Sequence, residues 1–178
     1  IRMLRRIVSL LTACLLLAVL CVPVAAAPDT TPLKAFEYEL QVGQTVILKK
    51  YIGQNKNVIV PAQYQIDGVS HSVYLDAKTV FRANETIESV TLKPDTRFVN
   101  STMATLFAEC SNLRSVVAKN INTGGVTSLE YLFCNSPKLE RADVSGWDTS
   151  AVVTLHAAFS GCKALSELKG YTTWNTAA

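Results

Sequence analysis

The strongest constraint on this chain is a phenylalanine that recurs at a constant interval, at Phe81, Phe107, Phe133 and Phe159. Other columns keep the same register. An aliphatic residue stands six positions after each phenylalanine, and a small or polar residue stands three positions after it. The small column consists of Asn84, Cys110, Ser136 and Cys162. A period that several columns share predicts a repeat architecture, in which each unit stacks on its neighbours.

Each unit carries two hydrophobic patterns. Residues 139–144 end in an alternation of apolar and polar side chains, which predicts a short strand with one buried face. Leu129, Leu132 and Phe133 are spaced by three and one, which predicts a helix of one or two turns. A helix this short is marginal alone and must stack. The predicted fold is an α/β solenoid of leucine-rich repeats, with short parallel strands and short helices.

Motifs within the units resemble the BspA-like leucine-rich repeats of bacterial surface proteins. The segment FAECSNLRSV begins at Phe107, and the segment FCNSPKLERADVSGWDTSAV begins at Phe133, with a full WDTS element at 147–150. There are two departures: residues 122–125 replace the tryptophan element of one unit, and Ser136 replaces a cysteine. The resemblance implies a non-enzymatic surface module that acts in adhesion or in recognition of a host or neighbouring-cell protein.

Residues 1–27 have the pattern of a secretory signal peptide. Basic residues precede an apolar run at 7–22, and Ala25 and Ala27 form an A-x-A cleavage site. The apolar run is shorter than the roughly 18 residues of a membrane span, so we expect secretion rather than membrane insertion. Removing three arginines leaves 14 cationic and 14 acidic side chains, a balance that gives no case for nucleic acid.

Residues 28–80 are predicted to form a leader and a β-rich N-terminal cap, and residues 81–178 the repeats. Alternation on both sides of Gly43 predicts a hairpin, whose apolar face would cover the end of the solenoid. The predicted units are 81–106, 107–132, 133–158 and the partial unit 159–178. The last unit stops shortly after Trp174, so we expect a front piece of a longer protein, or else a short secreted form.

No catalytic, cofactor or metal site is predicted. Cys110 and Cys162 share a column two rungs apart, about 10 Å at strand spacing, which exceeds the ~7 Å limit of a disulfide. We therefore expect both to be small buried residues, with a bond from Cys134 to an adjacent rung as the alternative. His156 is expected to be exposed, which argues against a Cys–His nucleophile.

Aromatic residues are assigned mainly to the core. The phenylalanine column is predicted to be a structural spine, because it keeps register with the other apolar columns. Trp147 and Trp174 are expected to pack over the next rung, with an exposed aromatic contact as the alternative. The residues after Trp147 are interpreted as loop and helix-capping residues.

The outward face of the predicted sheet is the remaining candidate site. A rigid face of mixed polar columns suits binding because preorganisation lowers the ordering cost. The candidate partner-binding residues are Ser89, Thr91, Lys93, Ser115, Val117, Lys119, Arg141, Asp143, Ser145, Glu167, Lys169 and Tyr171. An ordinary solvated face is the alternative. We expect a monomer that binds a protein; the competing functions are a spacer that carries another domain and a small secreted hydrolase.

Overall fold

The computed structural model describes residues 30–174, which contain ten strands and three short 3₁₀ segments. The predicted signal peptide, with Ala25 and Ala27, lies outside the described residues. The strands are β1 (Phe36–Gln41), β2 (Thr45–Tyr51), β3 (Asn57–Val60), β4 (Gln63–Ile66), β5 (Val69–Leu75), β6 (Ser89–Leu92), β7 (Arg97–Phe98), β8 (Ser115–Val117), β9 (Arg141–Asp143) and β10 (Glu167–Lys169). The 3₁₀ segments are Leu33–Ala35, Val99–Ser101 and Tyr171–Thr173.

Five of these strands build a parallel sheet, in the order β10-β9-β8-β6-β3. Val90 lies opposite Val116, which lies opposite Ala142, which in turn lies opposite Leu168. From β6 onwards each residue therefore pairs with its equivalent one repeat away, and each repeat supplies one strand. The repeat solenoid predicted from the sequence is confirmed.

The phenylalanine column runs through the centre of the solenoid. Phe81, Phe107 and Phe133 are fully buried, and Phe159 is partly buried. The ring centroids of successive members lie 5.6, 5.4 and 5.4 Å apart, with interplanar angles between 7° and 23°. Each ring thus stacks in parallel on the ring of the next rung, which requires the same residue at the same place in every unit.

The predicted short helices are wrong, because residues 30–174 contain no α-helix. The segments around Leu106 and Leu132 are tight turns instead. Thr105, Tyr131 and Ala157 occupy equivalent positions with φ of 63°, 54° and 51°. This left-handed conformation cannot continue a right-handed helix. The helix-like spacing arises because each turn brings successive apolar side chains back to the core.

Backbone hydrogen bonds also join the rungs on this turn side. The N–H groups of Met103, Thr105, Phe107 and Glu109 donate to carbonyls of the next rung at 2.7–3.0 Å. The following rung repeats this pattern through Leu129, Tyr131, Phe133 and Asn135. An α-helix would use these donors within its own segment. The solenoid is therefore fastened between rungs on two sides, by the sheet and by this second ladder.

The small column provides a side-chain ladder beside the phenylalanines. The Cys110 thiol donates to the Phe81 carbonyl at 3.1 Å, and the Ser136 hydroxyl donates to the Phe107 carbonyl at 2.7 Å. Cys162 repeats the contact with Phe133 at 3.1 Å. Ser136 Oγ also accepts the Cys110 N–H at 3.1 Å. Cys110, Ser136 and Cys162 fit above the preceding rung and still offer a donor, whereas Asn84 Oδ1 accepts the N–H groups of Thr86 and Ile87.

The N-terminal strands form a second sheet, in the order β1-β2-β5-β4, with β7 also paired to β5. The predicted β1–β2 hairpin is present, but its burial does not alternate as predicted: Leu40 is exposed in β1, and a register shift lies between Glu37 and Tyr38. The strands β4 and β7 were not predicted. The rings of Phe36 and Tyr51 lie 6.4 and 6.3 Å from that of Phe81, so the hairpin joins the core of the repeats. Its role as a cap stays a prediction.

Truncating one ring of the phenylalanine column should destabilise the protein strongly. We expect Phe133→Ala to lower the free energy of unfolding by about 3–5 kcal/mol, because it removes a fully buried ring and leaves a cavity. Val153→Ala is the control, since Val153 is 70% exposed and should change stability by less than about 0.5 kcal/mol. Urea unfolding measures both; equal midpoints would contradict the spine.

For stability, the presence of a hydrogen-bond donor at position 136 should matter more than whether that donor is a hydroxyl or a thiol. Ser136→Ala leaves the Phe107 carbonyl and the Cys110 N–H without this partner, which should cost about 1–3 kcal/mol. Ser136→Cys should cost less, because a thiol makes the equivalent bond at Cys110 and Cys162. Thermal unfolding compares the two variants; a cysteine variant as unstable as the alanine variant would refute the ladder.

Candidate functional site

The outward side chains of the parallel sheet lie in two rows that cross the strands. The first row contains Asn57, Ser89, Ser115, Arg141 and Glu167. The second row contains Ile59, Thr91, Val117, Asp143 and Lys169. Eight of the twelve candidate residues thus lie in strands of this sheet face. Sequence reasoning missed Asn57 and Ile59, because the interval from β3 to β6 is longer than the repeat period that separates the later strands.

The other four candidates lie beyond the carboxyl ends of the strands. Lys93 and Lys119 are exposed at equivalent positions of neighbouring rungs. Ser145 is half-buried and donates its N–H to Asp143 Oδ1 at 3.0 Å. Tyr171 is 52% exposed and opens a 3₁₀ segment, so it does not continue the row.

Gly170 accounts for the different backbone path that begins at Tyr171. Gly170 has φ of 89°, and a Cβ there would collide with the backbone of Ser145. Only glycine combines that left-handed φ with such a close approach. The chain therefore turns away from the sheet face immediately before Tyr171.

The sheet face divides into an uncharged half and a charged half. Side chains on β3, β6 and β8 are uncharged, whereas β9 and β10 place Arg141 opposite Glu167 and Asp143 opposite Lys169. Lys169 Nζ also lies 3.0 Å from Glu167 Oε1. The hydrogen bond between them is the main cause that raises the pKa of Lys169. At the border, Val117 and the four charged residues line a shallow depression of about 110 Å³.

The charged half is close to electrically neutral, because it carries two cations and two carboxylates. Hydrogen bonding from Ser145 is the main cause that lowers the pKa of Asp143, and the charges of Lys119 and Lys169 add to it. Such mutual neutralisation leaves the charged half with little net charge to attract a ligand.

The amino ends of the strands carry ion pairs between rungs. Lys56 Nζ lies 2.7 Å from Glu88 Oε1, and Arg114 Nη1 lies 2.7 Å from Glu140 Oε1. The hydrogen bond and charge of Lys56 lower the pKa of Glu88. Exposed pairs of this kind add little stability. Along this rim, cations therefore lie beside carboxylates, and the charge of Lys138 also acts on Glu88.

A second depression, of about 270 Å³, lies on the turn side. Its lining includes Tyr131, Cys134 and the Arg82–Glu109 ion pair of 2.9 Å. His156 is exposed, as expected, and its ring meets that of Tyr131 at 5.3 Å. Among the hydrogen bonds of residues 30–174, none joins a histidine side chain to a cysteine.

Neither a metal site nor a membrane-spanning helix is seen in the part of the chain that the structure describes. Residues 30–174 contain no group of three or more histidine, cysteine and acidic residues arranged to hold a metal ion. No helix within the same range is long and apolar enough to cross a bilayer.

The tryptophan element joins rungs rather than forming a site. Trp147 is 4% exposed, and its Nε1 donates to the Ala118 carbonyl at 2.7 Å. Its ring stacks on that of Trp174 at 5.8 Å, which confirms the packing predicted for Trp147. Asp148 Oδ1 accepts the Ser150 N–H at 2.9 Å, and its own N–H donates to Thr123 Oγ1 at 2.7 Å. These contacts shape a turn, and no helix follows for them to cap within the described residues.

The three cysteines within the described residues are free thiols. Burial raises the pKa of Cys110 to about 12 and also raises that of Cys162. Because the thiolate is the reactive form, burial protects both from thiol reagents. Cys134 borders the turn-side depression and is half-buried.

Native and denatured protein should therefore differ in thiol reactivity. At pH 8 a disulfide reagent should modify Cys134 first and Cys162 slowly. It should leave Cys110 unmodified, because burial raises the pKa of Cys110 to about 12. Cys134→Ser should remove the fast phase. After denaturation without reductant, residues 28–178 should release three equivalents; a single equivalent would reveal a disulfide and contradict the free-thiol assignment.

Solved structures that resemble this chain include a leucine-rich repeat protein from Bacteroides capillosus, with 16% identity and a TM-score of 0.45. That likeness covers 79% of this chain and 96% of the other. A leucine-rich cell surface protein from Faecalibacterium prausnitzii gives 19% identity and a TM-score of 0.35, over 80% of this chain and 30% of the other. A leucine-rich repeat protein of T. pallidum gives 17% identity and a TM-score of 0.35, over 79% and 82%.

These TM-scores lie below 0.5, so neither fold nor function is carried over from these proteins. No curated protein matches the chain. A family model does match it, over residues 75–178, and its description is "Mycoplasma protein of unknown function, DUF285". This span is more than half of the chain and includes the strands β6 to β10. The chain therefore belongs to the DUF285 family.

Proposed function

We propose that this protein is a secreted or surface-attached binding module that contacts a partner protein through the outward face of its parallel sheet. The observation that carries the proposal is the pair of in-register rows of solvent-facing side chains across five strands. A face of this kind offers a continuous contact area.

Rigidity of the supporting backbone favours binding through this face. Each strand is hydrogen-bonded to its neighbours, and the turn side repeats the fastening between rungs. The side chains beneath the face, such as Val90, Val116 and Ala142, are buried in the core. A surface that is already ordered loses little conformational entropy when it binds.

The composition of the face also suits protein recognition. Val117 is 42% exposed between polar neighbours, and Arg141 is exposed on the next strand. Arginine is enriched in protein interfaces, and an apolar centre with a polar rim is the usual arrangement.

The extracellular setting and the adhesive role rest on the sequence. The signal-peptide pattern of residues 1–27 supports secretion, and the resemblance to BspA-like repeats supports adhesion to a host or neighbouring cell. In this proposal the protein acts as a monomer, without enzymatic activity or a cofactor. A spacer that only carries another domain is the competing function, and it would not need a specific sheet face.

Charge reversal on the sheet face should abolish partner capture without unfolding the protein. Lys119→Glu with Arg141→Glu alters two exposed side chains, so the free energy of unfolding should change by less than about 0.5 kcal/mol each. Protein captured from extracellular and cell-surface fractions on the immobilised wild type should be lost. Quantitative mass spectrometry of the bound fraction measures the loss.

The matched control reverses two charges outside the sheet face, at Lys78 and Lys163, which are both exposed. Lys78→Glu with Lys163→Glu should retain every protein that the wild type captures. If both double variants retain the same proteins, the sheet face is not the contact surface and the spacer function is favoured.

A further inference from the structure

The uncharged half of the sheet face has a largely apolar row along its middle, with one threonine between two aliphatic residues. Ile59, Thr91 and Val117 lie opposite one another on β3, β6 and β8. Val117 is 42% exposed, and the other two are half-buried. Neighbouring strands are about 4.8 Å apart, so this row is a continuous strip along the solenoid axis.

Two lysines border this strip at the carboxyl ends of the strands. Lys93 stands two residues after Thr91, and Lys119 stands two residues after Val117, so both lie beyond the row on neighbouring rungs. Both side chains are exposed, and neither belongs to an ion pair between described residues. Like charges at adjacent positions of a sheet repel each other. An anionic group between them would relieve that repulsion.

Acidic residues of the same face do not neutralise both lysines. Asp143 senses the charge of Lys119, but its Oδ1 accepts the Ser145 N–H, and its carboxylate also faces Lys169 across the sheet. Asp95, which follows Lys93 by two residues, forms no ion pair with it among the described residues. Two lysines without an ion pair thus lie at this rim of the uncharged half.

The opposite rim differs because its cations lie beside carboxylates. Lys56 and Arg114 are paired there with Glu88 and Glu140 at 2.7 Å, and the charge of Lys138 also acts on Glu88. A partner that binds over the uncharged half therefore meets a largely apolar strip, with two lysines that form no ion pair along one side and carboxylates among the cations along the other.

We propose that this half of the face binds an extended acidic segment of a partner protein, with an aliphatic side chain on the apolar strip and carboxylates at Lys93 and Lys119. The inference rests on the proposed function and deepens it by naming the chemistry of the partner. The aliphatic contact distinguishes such a segment from a polyanion, which would need the lysines but not Val117.

A displayed library of random dodecapeptides, selected on the immobilised protein, tests the chemistry directly. Selected peptides should be enriched in aspartate or glutamate next to an aliphatic residue. The Kd of synthetic copies, measured by fluorescence polarisation, should rise roughly tenfold in Lys93→Glu with Lys119→Glu, and it should rise with ionic strength. Lys78→Glu with Lys163→Glu should leave the Kd unchanged.

Val117→Ser separates the two parts of the proposal. It should weaken the selected peptides several-fold and leave the binding of heparin, used as a polyanion probe, unaltered. Peptides that are basic or uncharged, peptides that bind the double lysine variant as tightly as the wild type, or a Val117→Ser variant with unaltered peptide affinity would overturn the inference. Protein capture then decides about the proposed function. If capture still depends on Lys119 and Arg141, the proposed function stands and only the acidic-segment inference fails. If capture does not depend on these residues, the inference and the proposed function both fail.

Discussion

Hydrogen bonding from rung to rung is the constraint on which the rest of this structure depends. Each unit is too small to bury its own apolar side chains, so its backbone donors must find partners in the neighbouring unit. On one side the sheet pairs Val116 with Ala142, and on the other the Phe107 N–H donates to Leu132. Two ladders fix both the height and the rotation of each rung. A residue therefore lies directly above its equivalent, and the phenylalanine rings can stack.

That constraint explains which parts of the fold could be predicted. Register between rungs makes the core columns repeat in sequence, so the repeat period and the strands were readable. The turn side was not, because Leu129, Leu132 and Phe133 have the spacing of a helix while the φ of 54° at Tyr131 breaks it. Apolar spacing reports which side chains reach the core, and it does not report which backbone path brings them there. Threonine, tyrosine and alanine rarely adopt this left-handed conformation, so its occurrence at Thr105, Tyr131 and Ala157 leaves no trace in the sequence.

The placement of the candidate residues in the sheet could be predicted for the same reason, except at the two ends of the sheet. Alternation placed residues such as Ser115 and Val117 correctly relative to the sheet. Ile59 was missed because an extra hairpin, β4–β5, makes the first interval between strands longer than the repeat period. Tyr171 was placed in the row wrongly, because Gly170 redirects the backbone before the next position is reached. An irregular interval defeated the column argument at Ile59, whereas at Tyr171 the interval is regular and a glycine with positive φ defeated it.

Comparison of units within this one chain separates positions that the fold constrains from positions that it leaves free. Inward positions keep their character: the buried column at Val90 continues as Val116 and Ala142. The outward column that begins at Ser89 continues as serine, arginine and glutamate. The ladders and the core act on every rung equally, so they cannot cause this divergence. A fold that requires sameness inside leaves the outward columns free to differ, and a partner that spans several rungs can be recognised only through such differences.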